Sequence, residues 1–235
     1  MTPCERLARV RERIATACAA CGRDPSGVTL VAVSKLHDAA AVKALAACGQ
    51  RLFGESYIQE AVPKIEACPP DYEWHFIGHL QRNKAKFAVG RFSLIHTVDN
   101  LELARVLQNK NAEQGLTQAV CFQVNVCGES QKSGVAPDGL PELAETVAGL
   151  PNLLLTGLMV IPPVFDDPDG ARPAFARLRE LRDELRARLG LPLPVLSMGM
   201  SGDLEAAVVE GATHVRVGTD LFGAKIGRAS CRERV

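Results

Sequence analysis

The chain alternates between short apolar runs and longer amphipathic stretches. The clearest apolar run is Val28-Thr-Leu-Val-Ala-Val-Ser-Lys35, which follows a turn signal at Asp24-Pro-Ser-Gly27 and predicts a buried strand. Comparable runs predict strands over residues 28–34, 51–54, 73–77, 93–98, 119–126, 153–161, 193–197 and 213–217. Helical spacing of apolar positions predicts helices over 4–21, 38–48, 56–67, 82–89, 99–115, 138–149, 170–189 and 202–210, with a short one from about 219.

Strands that alternate with helices predict a parallel sheet joined by crossover helices. An open doubly wound sheet and a closed barrel both fit this order. The length of 235 residues is close to the usual barrel size, and the first strand is not followed by the Gly-rich dinucleotide fingerprint of many open sheets. We therefore predict the α/β class, a single (β/α)8 TIM-type barrel with an extra N-terminal helix over residues 1–225. Residues 226–235 read as a non-native tail.

Composition narrows the function classes. Basic and acidic residues balance at 27 each, and without a basic block we expect no nucleic-acid partner and no anionic membrane surface. The sequence has no apolar run of membrane-spanning length and no signal-peptide core at Met1-Thr-Pro-Cys4. These features predict a cytoplasmic protein.

Eight cysteines raise the question of disulfides or a metal site. Most lie in helical or strand patterns, and a chain of this length can form a hydrophobic core without disulfides to stabilise it. We therefore expect no disulfide framework. Cys18-Ala-Ala-Cys21 lacks a second pair at ligand spacing, which argues against redox or zinc chemistry. His75 and His79 lie on a predicted strand, where four residues span about 13 Å, too far for one ion. No metal is expected.

Candidate chemistry gathers where strands end, because the carboxyl ends of barrel strands form the rim that carries active sites. Lys35 ends the first strand and is either an end-cap reaching solvent or a reactive amine. The loop 197–203 leads into a helix; Ser201 suits the N-cap, and Gly202 would let an anion approach the first backbone N–H groups. Gly218-Thr219 follows strand eight similarly. These are either ordinary capped turns or the phosphate site that barrels hold on these two loops.

Arg216 is predicted to point inward. On strand eight it shares a face with His214 and Gly218, whereas Val215 and Val217 share the face toward the helices. A buried guanidinium needs an acceptor. The alternatives are a rim carboxylate such as Glu55 or a ligand's ring nitrogen or carboxylate.

A lysine, a phosphate site and an inward arginine together suggest pyridoxal 5'-phosphate. Its aldehyde reacts with an unprotonated amine, so burial near Arg216 would have to lower the pKa of Lys35. We expect the phosphate across the barrel mouth from strand one. Arg216 would donate to the pyridine nitrogen and keep it unprotonated, which weakens the ring as an electron sink.

Several stretches resemble the pyridoxal phosphate homeostasis proteins (the YggS/PROSC family), barrel relatives of the N-terminal domain of alanine racemase. The matching stretches are Ala32-Val-Ser-Lys35, Phe53-Gly-Glu-Ser-Tyr-Ile-Gln-Glu60, Trp74-His-Phe-Ile-Gly-His-Leu-Gln-Arg-Asn-Lys84, Lys132-Ser-Gly134, Gly157-Leu-Met159, Leu196-Ser-Met-Gly-Met-Ser201 and Val215-Arg-Val-Gly-Thr-Asp-Leu-Phe-Gly223. The resemblance implies that Lys35 forms the Schiff base, that the phosphate lies on the two loops and that Arg216 meets the pyridine nitrogen. The predicted cofactor-binding residues are Lys35, Met200, Ser201, Gly202, Arg216, Gly218 and Thr219. Ser56 stands where the family usually has Asn.

The resemblance implies a carrier and buffer of pyridoxal phosphate without turnover, with apo-enzymes as partners. Because the predicted architecture has no second domain, we expect a monomer. The alternative is a pyridoxal-phosphate-dependent amino-acid racemase, which needs two bases on opposite faces of the substrate. Lys35 supplies one; in the racemases a tyrosine from a partner subunit's C-terminal domain supplies the other, and this chain ends with its barrel. The two tyrosines, Tyr57 and Tyr72, take no obvious opposing position. A lysine-dependent aldolase, with Glu55 as acid, is a third class.

Overall fold

Eight parallel strands pair in chain order, and β8 pairs back onto β1, so the sheet closes into a barrel. The computed structural model describes residues 1–129 and 133–223. The strands are β1 (Thr29–Val33), β2 (Leu52–Glu55), β3 (Glu73–Phe76), β4 (Leu94–Val98), β5 (Gln118–Gln123), β6 (Leu153–Met159), β7 (Val195–Ser197) and β8 (His214–Val217). The predicted (β/α)8 barrel is confirmed.

Helices surround the barrel. They are α1 (Pro3–Ala20), α2 (Ala39–Ala46), α3 (Ile58–Glu66), α4 (Leu101–Ala112), α5 (Leu140–Ala148), α6 (Arg172–Leu189), α7 (Leu204–Val209) and α8 (Thr219–Phe222). The helix predicted over 82–89 is instead a 3-10 helix, Arg82–Phe87, which Gln81 precedes. The helix predicted over 202–210 begins later, at Leu204.

Two apolar layers hold the barrel together. A small inner cluster of Leu94, Cys121, Met159 and Val195 fills part of the interior, and a larger cluster joins the outer strand faces to the helices. On β8, Val215 and Val217 are fully buried in that outer layer. The alternation of a strand therefore turns His214 and Arg216 to the inside.

The N-terminal helix completes the outer ring. Because α8 is only four residues long, α1 packs against α7, α8 and α2 and covers the gap between the last and first barrel units. A capping box starts α1, with Thr2 accepting from the backbone of Glu5 and Glu5 accepting from the backbone of Thr2. The helix thus lies on the outside of the strands that carry Lys35 and Arg216.

One disulfide joins α1 to the turn after α2, between Cys4 and Cys48. The expectation that the cysteines form no disulfide is wrong for this pair. The two residues are 44 apart in sequence with Cα atoms 5.1 Å apart, a proximity created by helix packing and invisible to spacing. Cys18 and Cys21 are not disulfide-bonded, and no group of metal-ligand side chains occurs among the described residues.

Several predicted features lie outside the described residues, namely Lys132, the tail 226–235 and Cys231 within it. Within the part of the chain that the structure covers, none of the helices combines the length and the apolar character needed to cross a membrane.

Candidate functional site

Lys35 follows β1 after one residue, Ser34, and is half-buried in a turn at the carboxyl rim. The next residue, Leu36, has a positive φ of 65°, an uncommon conformation for a residue with a large side chain. The backbone N–H of Leu36 donates to Oε1 of Glu60 on α3, at 2.5 Å. A strained turn held in place by a carboxylate is a common sign of a functional position.

A buried ionic cluster supports this turn from beneath. Lys64 on α3 donates from Nζ to Oε1 of Glu55 at 2.6 Å, to Oε1 of Glu60 at 2.8 Å and to the carbonyl of Ser34 at 2.8 Å. The Ser34 hydroxyl donates to the same Glu55 oxygen at 2.6 Å. Burial raises the pKa of Glu55, and the charge of Lys64 opposes that rise. The cluster fixes the backbone on both sides of Lys35.

The loop after β8 lies beside Lys35 rather than opposite it, and the loop after β7 is one strand further round the barrel. Strand β8 pairs with β1, with Val31 opposite Arg216 and Ala32 opposite Val217. The expectation that the phosphate loops lie across the barrel mouth from strand one is therefore wrong, because closing the barrel makes its first and last strands neighbours. Gly218 and Thr219 follow the strand next to the lysine.

Ser201 is not the N-cap of α7. It lies in a turn, and the helix begins at Leu204 after Asp203, whose side chain accepts from the backbone N–H of Met200 at 2.6 Å. Burial raises the pKa of Asp203. The predicted capping role is wrong because the loop makes one more turn before the helix starts.

Two glycines shape the loop after β7 in different ways. Gly199 has a φ of 92°, and a Cβ there would lie 2.6 Å from Cβ of Ala207, so the close packing excludes a side chain. A Cβ at Gly202 would meet nothing within 4 Å. Packing against the protein therefore does not demand glycine at 202, and its bare backbone opens onto space that a ligand can occupy.

Arg13 on α1 ties both loops together, a role that the sequence did not reveal. Its guanidinium contacts Glu205 on α7 at 2.6 Å, Asp220 on α8 at 2.5 Å and the carbonyl oxygen of Ser201 at 2.9 Å. A cavity of about 430 Å3 between α1 and the loops is lined by arginines of α1 together with Ser201 and Thr219. The positive charge of this helix thus lies next to the two loops.

Arg216 is buried and donates from Nη1 to the Ser197 hydroxyl at 2.7 Å and from Nη2 to the carbonyl of Val160 at 2.9 Å. It does not pair with Glu55, the carboxylate considered from sequence, because Glu55 is engaged by Lys64 and Ser34. Burial lowers the pKa of Arg216 to about 10, which leaves it charged at neutral pH. Both of these hydrogen-bond partners are uncharged, and the nearby carboxylate of Asp203 acts on the guanidinium only through its charge, so a ligand can still accept a hydrogen bond from it.

Three histidines line the barrel interior below Arg216, and their grouping was not foreseen. His75 and His96 lie 2.9 Å apart between ring nitrogens, and His96 contacts the Ser197 hydroxyl at 2.7 Å. Burial lowers the pKa of His96 well below its ordinary value and that of His214 to about 4. The predicted His79 lies apart from them, near Ser133.

The residues present fit a ligand that has an aldehyde, an acceptor ring nitrogen and a phosphate. Lys35 is half-buried near the end of the strand that pairs with β8, Arg216 on β8 is buried with neutral hydrogen-bond partners, and the loop after β7 has an open glycine backbone. Ser56, where the resemblance leads one to expect Asn, is half-buried directly after β2. We find no feature of this arrangement that conflicts with pyridoxal phosphate.

Comparisons with known proteins agree with this geometry. The family model for the N-terminal domain of alanine racemase matches residues 6–226. The chain is 50% identical over 225 residues to the pyridoxal phosphate homeostasis protein of Pseudomonas aeruginosa, covering 95% of this chain and 96% of the relative. It is 46% identical over 224 residues to that of Aquifex aeolicus, covering 95% and 98%.

Solved structures extend the comparison. PipY of Synechococcus elongatus, with pyridoxal phosphate bound, superposes with a TM-score of 0.84 at 40% identity, covering 94% of this chain and all of that one. Alanine racemase of Corynebacterium glutamicum shares the fold at a TM-score of 0.68 and 20% identity, over 92% of this chain and 60% of that one. The chain belongs to the pyridoxal phosphate homeostasis proteins, within the alanine racemase N-terminal domain family.

Proposed function

We propose that the protein binds pyridoxal 5'-phosphate and takes part in intracellular homeostasis of this cofactor as a carrier and buffer. The relatives at 46% and 50% identity are named for that role, and PipY holds the same cofactor on the same fold. The observation in this chain that carries the proposal is the buried guanidinium of Arg216, whose hydrogen bonds go to uncharged groups, on the strand that pairs with β1, the strand before Lys35.

Each site residue has a proposed part. The amine of Lys35 bonds to the aldehyde, and Arg216 donates to the ring nitrogen. The loop residues Met200, Ser201 and Gly202, with Gly218 and Thr219, surround the phosphate. When bound, the cofactor supplies an electron-accepting ring, and an arginine at its nitrogen keeps that ring unprotonated and a weak acceptor.

Turnover of amino acids is not part of the proposal. A racemase needs a second base facing the lysine across the substrate. Tyr57 lies after β2, the strand next to β1, with 52% of its surface exposed. Tyr72 precedes β3 at the other barrel end, where its ring contacts Phe53 in a tilted arrangement and lies beneath Arg51. Neither tyrosine is placed to oppose Lys35.

We further propose that the protein is a cytoplasmic monomer. It would pass pyridoxal phosphate to apo-enzymes that depend on this cofactor. The barrel over residues 1–225 is the binding unit, and residues 226–235 remain a predicted non-native tail.

Equilibrium dialysis with pyridoxal phosphate, followed by an assay for amino-acid racemisation, tests this function. We expect a yellow protein with one cofactor per chain and no D-amino acid above background from any single L-amino acid. Arg216→Met and Ser201→Val should weaken retention. Arg105→Met, on α4 and on the side of the barrel away from the loops after β7 and β8, should not. Unchanged retention in the first two variants would reject the site assignment, and steady racemisation would establish an enzyme.

A further inference from the structure

Five side chains form a continuous line through the barrel interior. Arg216 contacts the Ser197 hydroxyl at 2.7 Å, this hydroxyl contacts Nδ1 of His96 at 2.7 Å, and Nε2 of His96 contacts Nδ1 of His75 at 2.9 Å. The last contact joins Nε2 of His75 to Oε1 of Glu73 at 3.3 Å. Glu73 is the first residue of β3, so the line runs from the ligand end of the barrel to its amino-terminal end.

The direction of these hydrogen bonds follows from which groups can accept. A guanidinium only donates, and of the two groups that contact the Ser197 hydroxyl only Nδ1 of His96 can accept its hydrogen, so we assign the hydroxyl as the donor to Nδ1. His96 is neutral because burial keeps its pKa low, so its one hydrogen lies on Nε2 and is donated to His75. His75 then accepts at Nδ1 and donates from Nε2 to the carboxylate of Glu73.

The ends of the line match this direction. It begins at a group that can only donate and ends at a carboxylate that can only accept, and each link uses one donor and one acceptor. Hydrogen bonds arranged in series polarise one another in a medium of low dielectric. The ring of His214 lies beside both histidines, with centroid distances of 5.8 Å and 6.1 Å, and its own Nδ1 contacts Thr213.

We propose that the chain Arg216–Ser197–His96–His75–Glu73 positions the guanidinium for the ligand ring nitrogen, with Ser197, His96, His75 and Glu73 as positioning residues. Without the Ser197 hydroxyl, one of the two hydrogen bonds of the guanidinium described above would be lost, and the one to the carbonyl of Val160 would remain. The effect on ligand binding rests on the proposed function, since the ring nitrogen belongs to the ligand. The direction of the hydrogen bonds is a property of the protein alone.

The direction is tested first, by 15N NMR of the histidine rings in the full chain without cofactor. We expect His75 and His96 both to carry hydrogen at Nε2 and not at Nδ1. Hydrogen at Nδ1 of His96 would overturn the proposal. This readout does not depend on cofactor binding, so it stays decisive if the protein fails to bind pyridoxal phosphate and the proposed function falls.

The positioning role is tested with pyridoxal phosphate and its analogue that has CH in place of the ring nitrogen. Ser197→Ala should weaken binding of the cofactor about tenfold, the size expected for one hydrogen bond to a charged group, and should weaken the analogue much less. Equal weakening of both ligands, or of neither, would overturn the role. Val195→Ala, another buried change in the inner cluster and two residues before Ser197 on β7, should change neither affinity.

Glu73 offers a variant with little risk to folding, since its side chain is 54% exposed. Glu73→Leu should weaken the cofactor selectively over the analogue, and Glu73→Gln, which keeps an acceptor, should restore most of the affinity. Ser93→Ala is the matched control. The Ser93 hydroxyl donates to the same Glu73 oxygen at 2.7 Å but is not part of the line of five side chains. An effect of Ser93→Ala equal to that of Glu73→Leu would contradict the proposal.

Discussion

Arg13, on the outside of the barrel, donates from Nη2 to the carbonyl oxygen of Ser201 across 2.9 Å. The same guanidinium holds Glu205 and Asp220, which begin the helices after both loops. Arg13→Ala should loosen both loops and weaken binding of pyridoxal phosphate by about tenfold, in line with the loss of charge-assisted hydrogen bonds. Arg11→Ala is the control, because Arg11 lies on the same helix but contacts Gly49. Equal binding by wild type and Arg13→Ala in isothermal titration calorimetry would refute this role.

Removing Lys64 alone should lower the free energy of unfolding more than replacing Lys64 and Glu55 together. Lys64→Met leaves a carboxylate that is fully buried without its cation, which costs about 3–5 kcal/mol in similar cases. The double variant Lys64→Met, Glu55→Gln should recover part of the loss, because the amide carries no charge. Urea unfolding measures this, with the exposed Lys43→Met as control. A double variant as unstable as Lys64→Met would argue against the pairing.

Acid should destabilise the fold through the buried histidines. His214 has a folded pKa of about 4 against an ordinary 6.5, so between these values the unfolded chain binds more protons and stability falls as pH decreases. From pH 7.5 to pH 5 the contribution is about 2 kcal/mol, and His96 acts in the same direction. Urea midpoints should fall over this range, and less steeply in His214→Gln. A midpoint that is flat down to pH 5 would contradict the burial of these rings.

The disulfide between Cys4 and Cys48 should stabilise only the oxidised protein. Closing a loop of 44 residues is worth about 4 kcal/mol in the chain-entropy treatment. Cys4→Ser should lower the free energy of unfolding by up to that amount without reductant and should match the wild type in its presence. Cysteines in the cytoplasm are kept reduced, so we expect the bond in protein isolated in air. A difference that persists in reductant would show another role for Cys4.

The sequence identified those site residues whose position follows from the pattern of their immediate neighbours. Lys35 and Arg216 stand out because a strand pattern ends at one and alternates around the other, and the barrel followed from the order of eight strands. Arg13 and His96 escaped notice because their partners are distant in sequence: Arg13 lies 188 residues from Ser201, and His96 lies 101 from Ser197. The Cys4–Cys48 bond was missed for the same reason.

The start of α7 shows a different limit. Ser201 and Gly202 have the residue types of a helix N-terminus, yet the carboxylate of Asp203 folds back onto the backbone of Met200 and delays the helix to Leu204. Such side-chain-to-backbone bonds compete with the first helical turn. Residue type alone does not decide which of the two arrangements a loop adopts.

The most direct measurement is borohydride reduction of the protein with pyridoxal phosphate, followed by peptide mapping by mass spectrometry. We expect a single modified lysine, Lys35. The reduced adduct should be lost in Lys35→Ala and should form in Lys43→Ala at the same yield as in the wild type. Label on another lysine, or an undiminished adduct in Lys35→Ala, would contradict the assignment of the site.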